Sequence, residues 1–193
     1  PSMYDLGNFV LEQALWDSKS FLQQNPEFFI NVNVSAKQLE RPDFCRVVLE
    51  LLDKTEFPVR HLCLEITERC RSLPVSVINE RMAVLRGYGI KFAMDDFGTG
   101  SSSSAMALEM LIDEIKIDMS FIRKILVNKK NKAIVQSMVD FANAANIKSC
   151  LEGVENKALE DYLRTVGATW FQGYYYSKPV GADELEILLS AKK

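Results

Sequence analysis

The stretch KFAMDDFGTGSSSS, residues 91–104, ends an apolar run on two adjacent aspartates and passes at once into a glycine-punctuated turn with four serines. Neighbouring carboxylates repel, and each raises the cost of ionising the other. A strand that stops on such a pair needs a positive partner: a metal, a lysine or a surface salt bridge. The choice depends on what the rest of the chain brings to the same place.

Six short apolar runs rich in β-branched and aromatic residues read as strands: FFINVNVS (28–35), LCLEIT (62–67), IKFAMDD (90–96), EIKID (114–118), KSCLEGV (148–154) and WFQGYY (170–175). Helical periodicity fills the gaps, over 6–22, 43–52, 75–86, 131–146, 156–167 and a closing segment, ADELEILLSAKK, at 182–193. Pro42 suits an early helix position, Gly167 a helix stop, and the final lysines a helix C-terminus. Strand and helix alternating without a linker predict a parallel sheet with covering helices, an α/β fold. The near-continuous apolar character of the strands agrees with burial on both faces.

Each run carries a polar side chain toward its C-terminal end: Asn33, Glu65, Asp95 with Asp96, Lys116, Glu152 and Gln172. A parallel barrel opens all its strand C-termini onto one face, whereas a doubly wound sheet spreads them along a line. The pattern therefore favours a barrel. Taken singly, each residue has a plain explanation, such as a loop salt bridge for a glutamate or a neutralised helix terminus for Lys116. Taken together, several carboxylates in one pocket are costly unless cations compensate them. Oxygen donors without histidine or a usable thiolate suit Mg²⁺ or Mn²⁺ rather than zinc. Strand alternation sends Asp95 and Asp96 to opposite sides, and the Gly98–Gly100 turn is expected to bend the backbone so that both reach the ions. Two divalent cations suit in-line displacement at phosphorus, with Lys116 orienting a water or stabilising phosphate charge. Metal-dependent phosphoester chemistry is as far as the residues lead.

Bulk properties leave room for this reading. The chain has 193 residues, 48% hydrophobic and 25% charged, enough for one domain with its own core. A formal net charge of −3 gives no bulk attraction to nucleic acid or anionic lipid. No apolar run approaches the roughly 20 residues of a membrane helix. The opening PSMYDLGNFVLEQALWDSKSF reads as an amphipathic helix, not a secretory signal. Cys45, Cys63, Cys70 and Cys150 form no CxxC pair and read as buried free thiols of a reducing compartment, hence a cytoplasmic location. His61, the single histidine, reads as a capping or surface residue. The basic stretch FIRKILVNKKNK (121–132) reads as a solvated helix start rather than a nucleic-acid surface.

The motifs NVNVSAKQL, LEITE, MDDFGTGSSS, IKIDMSFI, LEGVE and FQGYYYSKP, in this order, closely resemble the EAL domain family over about Leu6 to Leu189. Its members are bacterial phosphodiesterases that linearise cyclic di-GMP. The resemblance implies a modified TIM-type (β/α) barrel with two Mg²⁺ or Mn²⁺ ions. It implies metal-binding roles for Asn33, Glu65, Asp95, Asp96 and Glu152, with Asp95 the more direct ligand of the aspartate pair. Lys116 matches the lysine that contacts the nucleophilic water, Glu152 a ligand or general base, and Gln172 the glutamine completing that network. With Asp96 these make the expected catalytic set. Glu68 matches the glutamate bracing the loop at 97–104, which in the family joins the metal site to a dimer contact. Implied partners are cyclic di-GMP, a second copy of the chain and an upstream sensory or cyclase-like domain. Neither a nucleic-acid polymer nor a membrane is expected, although the parent protein is open to membrane anchoring elsewhere.

Two departures qualify the resemblance. The Glu-Ala-Leu motif followed by arginine is absent; LEQALWD (11–17) lies within the first helix. The expectation is a single domain over 1–193 lacking its N-terminal strands, with about six of eight barrel strands. Its edges at 28–35 and 170–175 would be unpaired, and this chain alone would show no appreciable turnover to linear pGpG. Ser101 stands where the family usually carries an aromatic residue, and either neutral variation or a weakened loop follows. The alternative function is a catalytically silent cyclic di-GMP receptor.

Overall fold

The structure is a computed structural model describing residues 3–67, 73–100 and 103–190. The chain forms two compact units, Pro1–Phe92 with Val180–Lys193, and Ala93–Pro179.

In the first unit, α1 (Met3–Gln24) buries Leu11, Leu15 and Phe21, which helical spacing lines up on one face. Its partners are α3 (Phe44–Thr55), through Lys54 and Glu12, and the last helix, α9 (Ala182–Ser190), through Gln24 and Glu186 at 2.9 Å. Strand β1 (Ile30–Asn33) buries Ile30 and Val32. Ser35 then starts α2 (Ala36–Leu39) with a capping box completed by Gln38, a device that satisfies two helix-end donors at once. Helix α3 begins at Phe44, leaving Pro42 outside it, and ends at Glu56 in a left-handed conformation. A 3-10 turn at Val59–His61 leads into β2 (Leu62–Thr67), which pairs parallel with β1 so that Asn33 stands opposite Glu65. α4 (Val75–Gly87) buries Ile78, Met82 and Leu85.

His61 is buried rather than superficial. Its Nδ1 donates to the Phe28 carbonyl at 2.6 Å and its Nε2 accepts from Arg60 at 2.9 Å. The ring thereby ties the approach to β1 to the start of β2. This is a structural use that excludes it as a ligand.

Strand β3 (Lys91–Phe97) enters the second unit from Ala93 onward. After it come α5 (Ser103–Glu109), β4 (Glu114–Ile117), α6 (Met119–Ile122), α7 (Lys129–Ala144), β5 (Lys148–Glu152), α8 (Lys157–Arg164) and β6 (Trp170–Gln172). β4 pairs parallel with β3 and β5, and β5 with β6. Among the described residues of the second unit the strand order is that of the chain. Asp118, Asn128 and Asn156 cap α6, α7 and α8 through side-chain oxygens. Phe97, fully buried, stacks on Phe141 of α7 with ring centroids 6.2 Å apart.

The expected strands are all present, though β1, β4, β5 and β6 are shorter than their apolar runs. β6 ends at Gln172, and Gly173 lies against the backbone just after β5: a Cβ there would sit 2.2 Å from the Val154 carbonyl oxygen. The expected lysines of the closing helix lie outside the described residues. Cys63 and Cys150 are buried free thiols as expected, whereas Cys45 is half-buried, its thiol pKa pushed up by burial, and Cys70 lies outside the described residues. Lys129 and Lys130 are exposed, and the Lys132 ammonium sits 4.7 Å from the Tyr162 ring centroid. No described helix is long and apolar enough to cross a membrane.

Candidate active site

The aspartate pair is placed by a bulge. Met94 pairs with Ile115 and Phe97 with Ile117, so Asp95 and Asp96 together oppose the single residue Lys116. Asp96 takes a left-handed backbone with φ 55°, uncommon for a non-glycine residue and tolerated best by aspartate and asparagine. The buried Met94 and Phe97 keep one side of the strand, the two aspartates share the backbone stretch opposite Lys116, and the Asp95 carboxylate lies beside its ammonium. This corrects the expectation from alternation. The strand itself breaks phase at the aspartates, before the glycine turn begins.

Lys116, third residue of β4, is nearly excluded from water, its side chain 6% exposed. Its ammonium lies 2.9 Å from Glu152 Oε1 and 3.5 Å from Asp95 Oδ1, carboxylates that are themselves 15% and 18% exposed. Three strands thus contribute to one charge cluster. Removing the cation of a buried pair strands its partner and costs about 3–5 kcal/mol. Gln172, exposed at the end of β6, stands opposite Glu152 in the ladder and on the same side. Behind Glu152, Gly153 adopts φ 79°, and a Cβ there would come within 2.6 Å of Met119 Cβ.

In the first unit, Asn33 is exposed at the end of β1 and faces Glu65 across the ladder. Glu65 is buried, and the side chain that holds it is Asn31, whose Nδ2 donates to Oε1 at 2.8 Å. Asn31 escaped the sequence reading. Its signal was the alternation N-V-N in β1, which puts both asparagines on one face. Among the described residues the buried Asn31 oxygen Oδ1 has no hydrogen-bond partner, a state costing about 1–3 kcal/mol unless something donates to it. Glu68 and Ser101 lie outside the described residues.

The donors that come together are oxygens, as a hard divalent cation requires. Among the described residues no three carboxylate, thiol or imidazole groups stand close enough to hold a metal alone. The donors accordingly suit Mg²⁺ or Mn²⁺, which bind through one or two carboxylates and complete their shell with water and phosphate oxygens. Asp95, Asp96 and Glu152 in the second unit, and Glu65 and the amide of Asn33 in the first, are the oxygen groups that could serve in this way.

A different ionic cluster sits on α8. Glu160 receives Arg164 at 2.8 and 2.5 Å and lies 3.4 Å from Lys157, which also pairs with Asp161. The Arg164 hydrogen bonds hold the Glu160 carboxyl below its usual range. Burial and the nearby Glu160 push the Tyr176 phenol up.

The comparisons agree with this arrangement. The EAL domain model matches residues 2–179. The chain is 34% identical to the probable cyclic di-GMP phosphodiesterase PdeG of Escherichia coli, over 95% of this chain and 37% of that protein. It is 31% identical to the cyclic di-GMP phosphodiesterase PdeA of Borreliella burgdorferi, over 91% of this chain and 26% of that protein. It thus spans about a quarter to a third of the curated relatives it matches. The solved structure of the EAL enzyme Bd1971 bound to cAMP and cyclic di-GMP superposes with a TM-score of 0.93 at 32% identity, over 98% of this chain and 53% of that one. The parallel α/β order, the bulged aspartate pair facing a lysine and the match over nearly the whole chain lead to one assignment: the chain belongs to the EAL domain family and has its TIM-barrel-like fold.

Proposed function

We propose that this chain is a phosphodiesterase domain that hydrolyses one phosphodiester bond of cyclic di-GMP to give linear pGpG. The observation that carries the reading is Lys116, buried between Asp95 and Glu152. Asn33, Glu65, Asp95, Asp96 and Glu152 would hold two Mg²⁺ or Mn²⁺ ions, which supply charge neutralisation on the phosphate oxygens and a more acidic water. Lys116 offers its protons to the attacking water and to the phosphate, and the carboxylates on either side fix the direction of its ammonium. Glu152, within hydrogen-bond reach of that ammonium, is the group placed to take the proton from the water as its oxygen attacks phosphorus. The opposite P–O bond then breaks and the ring opens at one linkage. Gln172, beside Glu152 in the ladder, orients the same water through its amide. A second copy and an upstream sensory or cyclase-like domain are the expected partners. Cytoplasmic placement agrees with the buried free thiols Cys63 and Cys150. The family's Glu-Ala-Leu motif does not occur in the sequence, so full activity is expected only when a segment carrying it completes the site.

The test incubates cyclic di-GMP and Mn²⁺ with the chain alone and with the chain joined to the Glu-Ala-Leu segment of a related EAL domain, with chromatography for pGpG. Product from the joined form, lost in Lys116→Ala and Glu152→Ala, is the expected result. Saturable nucleotide binding without product would move the assignment to a receptor. Neither binding nor product would mean the residues preserve a scaffold only.

A further inference from the structure

Asn31 is outside the residue set that the family resemblance assigns, yet its side chain grips one of that set's carboxylates. Its orientation is fixed by chemistry: turning the amide over would set its oxygen against Glu65 Oε1, acceptor against acceptor, so the NH₂ half faces Glu65. The oxygen half is thereby committed to the opposite direction, where it is buried and accepts no hydrogen bond from the described residues. Buried acceptors are almost always satisfied, and one left open beside a carboxylate has the form of a place kept for a donor absent from the protein itself. Strand geometry agrees. Asn31 and Asn33 share the face on which Glu65 stands opposite Asn33, while Val32 between them is buried on the other side.

We infer that Asn31 is a positioning residue of the cation site: its amide nitrogen fixes the Glu65 carboxylate for an ion, and its carbonyl oxygen accepts a hydrogen bond from a water in that ion's hydration shell. The inference rests on the reading of Glu65 as a ligand given above. It adds a residue acting on the ligand rather than on the ion, a role whose loss typically weakens metal binding about 10–100-fold. A purely structural asparagine predicts otherwise: its replacement would lower the metal-free stability, because the buried Glu65 Oε1 loses a donor, and would weaken metal binding no further than that loss explains.

Calorimetric titration of the chain with Mn²⁺ separates the two, alongside Asn31→Leu, Asn31→Ala and Glu65→Gln, with thermal midpoints taken in the absence of metal. The expected result is Mn²⁺ binding by the natural chain, loss of the Glu65-dependent ion in Glu65→Gln, and for that ion a dissociation constant raised about 10–100-fold in both Asn31 variants. That weakening should exceed what any lowering of the variants' metal-free midpoints explains. If Glu65→Gln loses the ion while both Asn31 variants bind it as the natural chain does, the inference is overturned and the site reading stands. If the Asn31 variants weaken binding only in step with a lowered metal-free midpoint, Asn31 is structural. If the natural chain binds no Mn²⁺, or Glu65→Gln binds it unchanged, the reading of Glu65 fails and takes the inference with it.

Discussion

Two ionic clusters of the second unit use the same chemical groups in opposite ways. On α8, Glu160 is held by Arg164 and Lys157 of its own helix, four residues after and three before, with both cations largely in solvent. Around Lys116, one sequestered ammonium answers carboxylates from two other strands, Asp95 twenty-one residues before it and Glu152 thirty-six after it. The helical cluster is local: its cations lie largely in water, Glu160 itself is buried, and the pairs form wherever the helix forms. The strand cluster exists only when three separated segments are paired in register, and water screens it little. A cation that a fold keeps dry between carboxylates of other strands is a candidate for chemistry; exposed cations that neutralise a carboxylate of their own helix are not.

The sharpest way to break the contrast is Lys116→Met. It should lower the free energy of unfolding by about 3–5 kcal/mol, because two poorly hydrated carboxylates lose their counter-charge. Urea denaturation reads this as a lower midpoint at unchanged slope, and added Mn²⁺ should restore part of the loss. A fall below about 1 kcal/mol would make the cluster no different in kind from a surface pair. Next in size is Gly153→Ala, between Glu152 and α8, where a left-handed backbone and the approach to Met119 both resist a side chain. A loss of about 1–3 kcal/mol is expected in the same assay. An unaffected midpoint would show that Glu152 is not held by that turn.

Glu160→Gln should have the smallest effect, and one that depends on pH. The folded-state pKa of Glu160 is depressed, so its contribution is present above the unfolded carboxylate pKa and lost as pH falls through the folded value. The thermal midpoint of the variant should therefore lie slightly below that of the natural chain near about pH 7, and the two should converge as pH falls through the depressed folded-state value. A gap that persists in acid would assign the effect to packing.

Most of the architecture was legible because strand–helix alternation is a local pattern, and the polar strand ends stood out against apolar runs. The site residues Asp95, Lys116 and Glu152 could be named as a set from their positions alone, and the structure brings these three together. What escaped depends on pairing rather than on residue type. The bulge in β3 is a property of register against β4, and no feature of KFAMDDF taken alone states how many residues will oppose Lys116. Asn31 escaped because an asparagine inside a buried strand looks like noise until its neighbour across the ladder is known. The short helices α2 and α6 are set by single caps, Ser35 and Asp118, too brief to carry a periodic signal.

The two-against-one count in β3 has a consequence at the level of the gene. Were Asp96 removed, Met94, Asp95 and Phe97 would fall opposite Ile115, Lys116 and Ile117 as in an uninterrupted ladder, and Phe97 would keep its place against Phe141. The second aspartate is thus an insertion, not a substitution, as far as the core is concerned. One codon separates a strand bearing two carboxylates from one bearing a single carboxylate, and the hydrophobic interior has no stake in which of them is encoded.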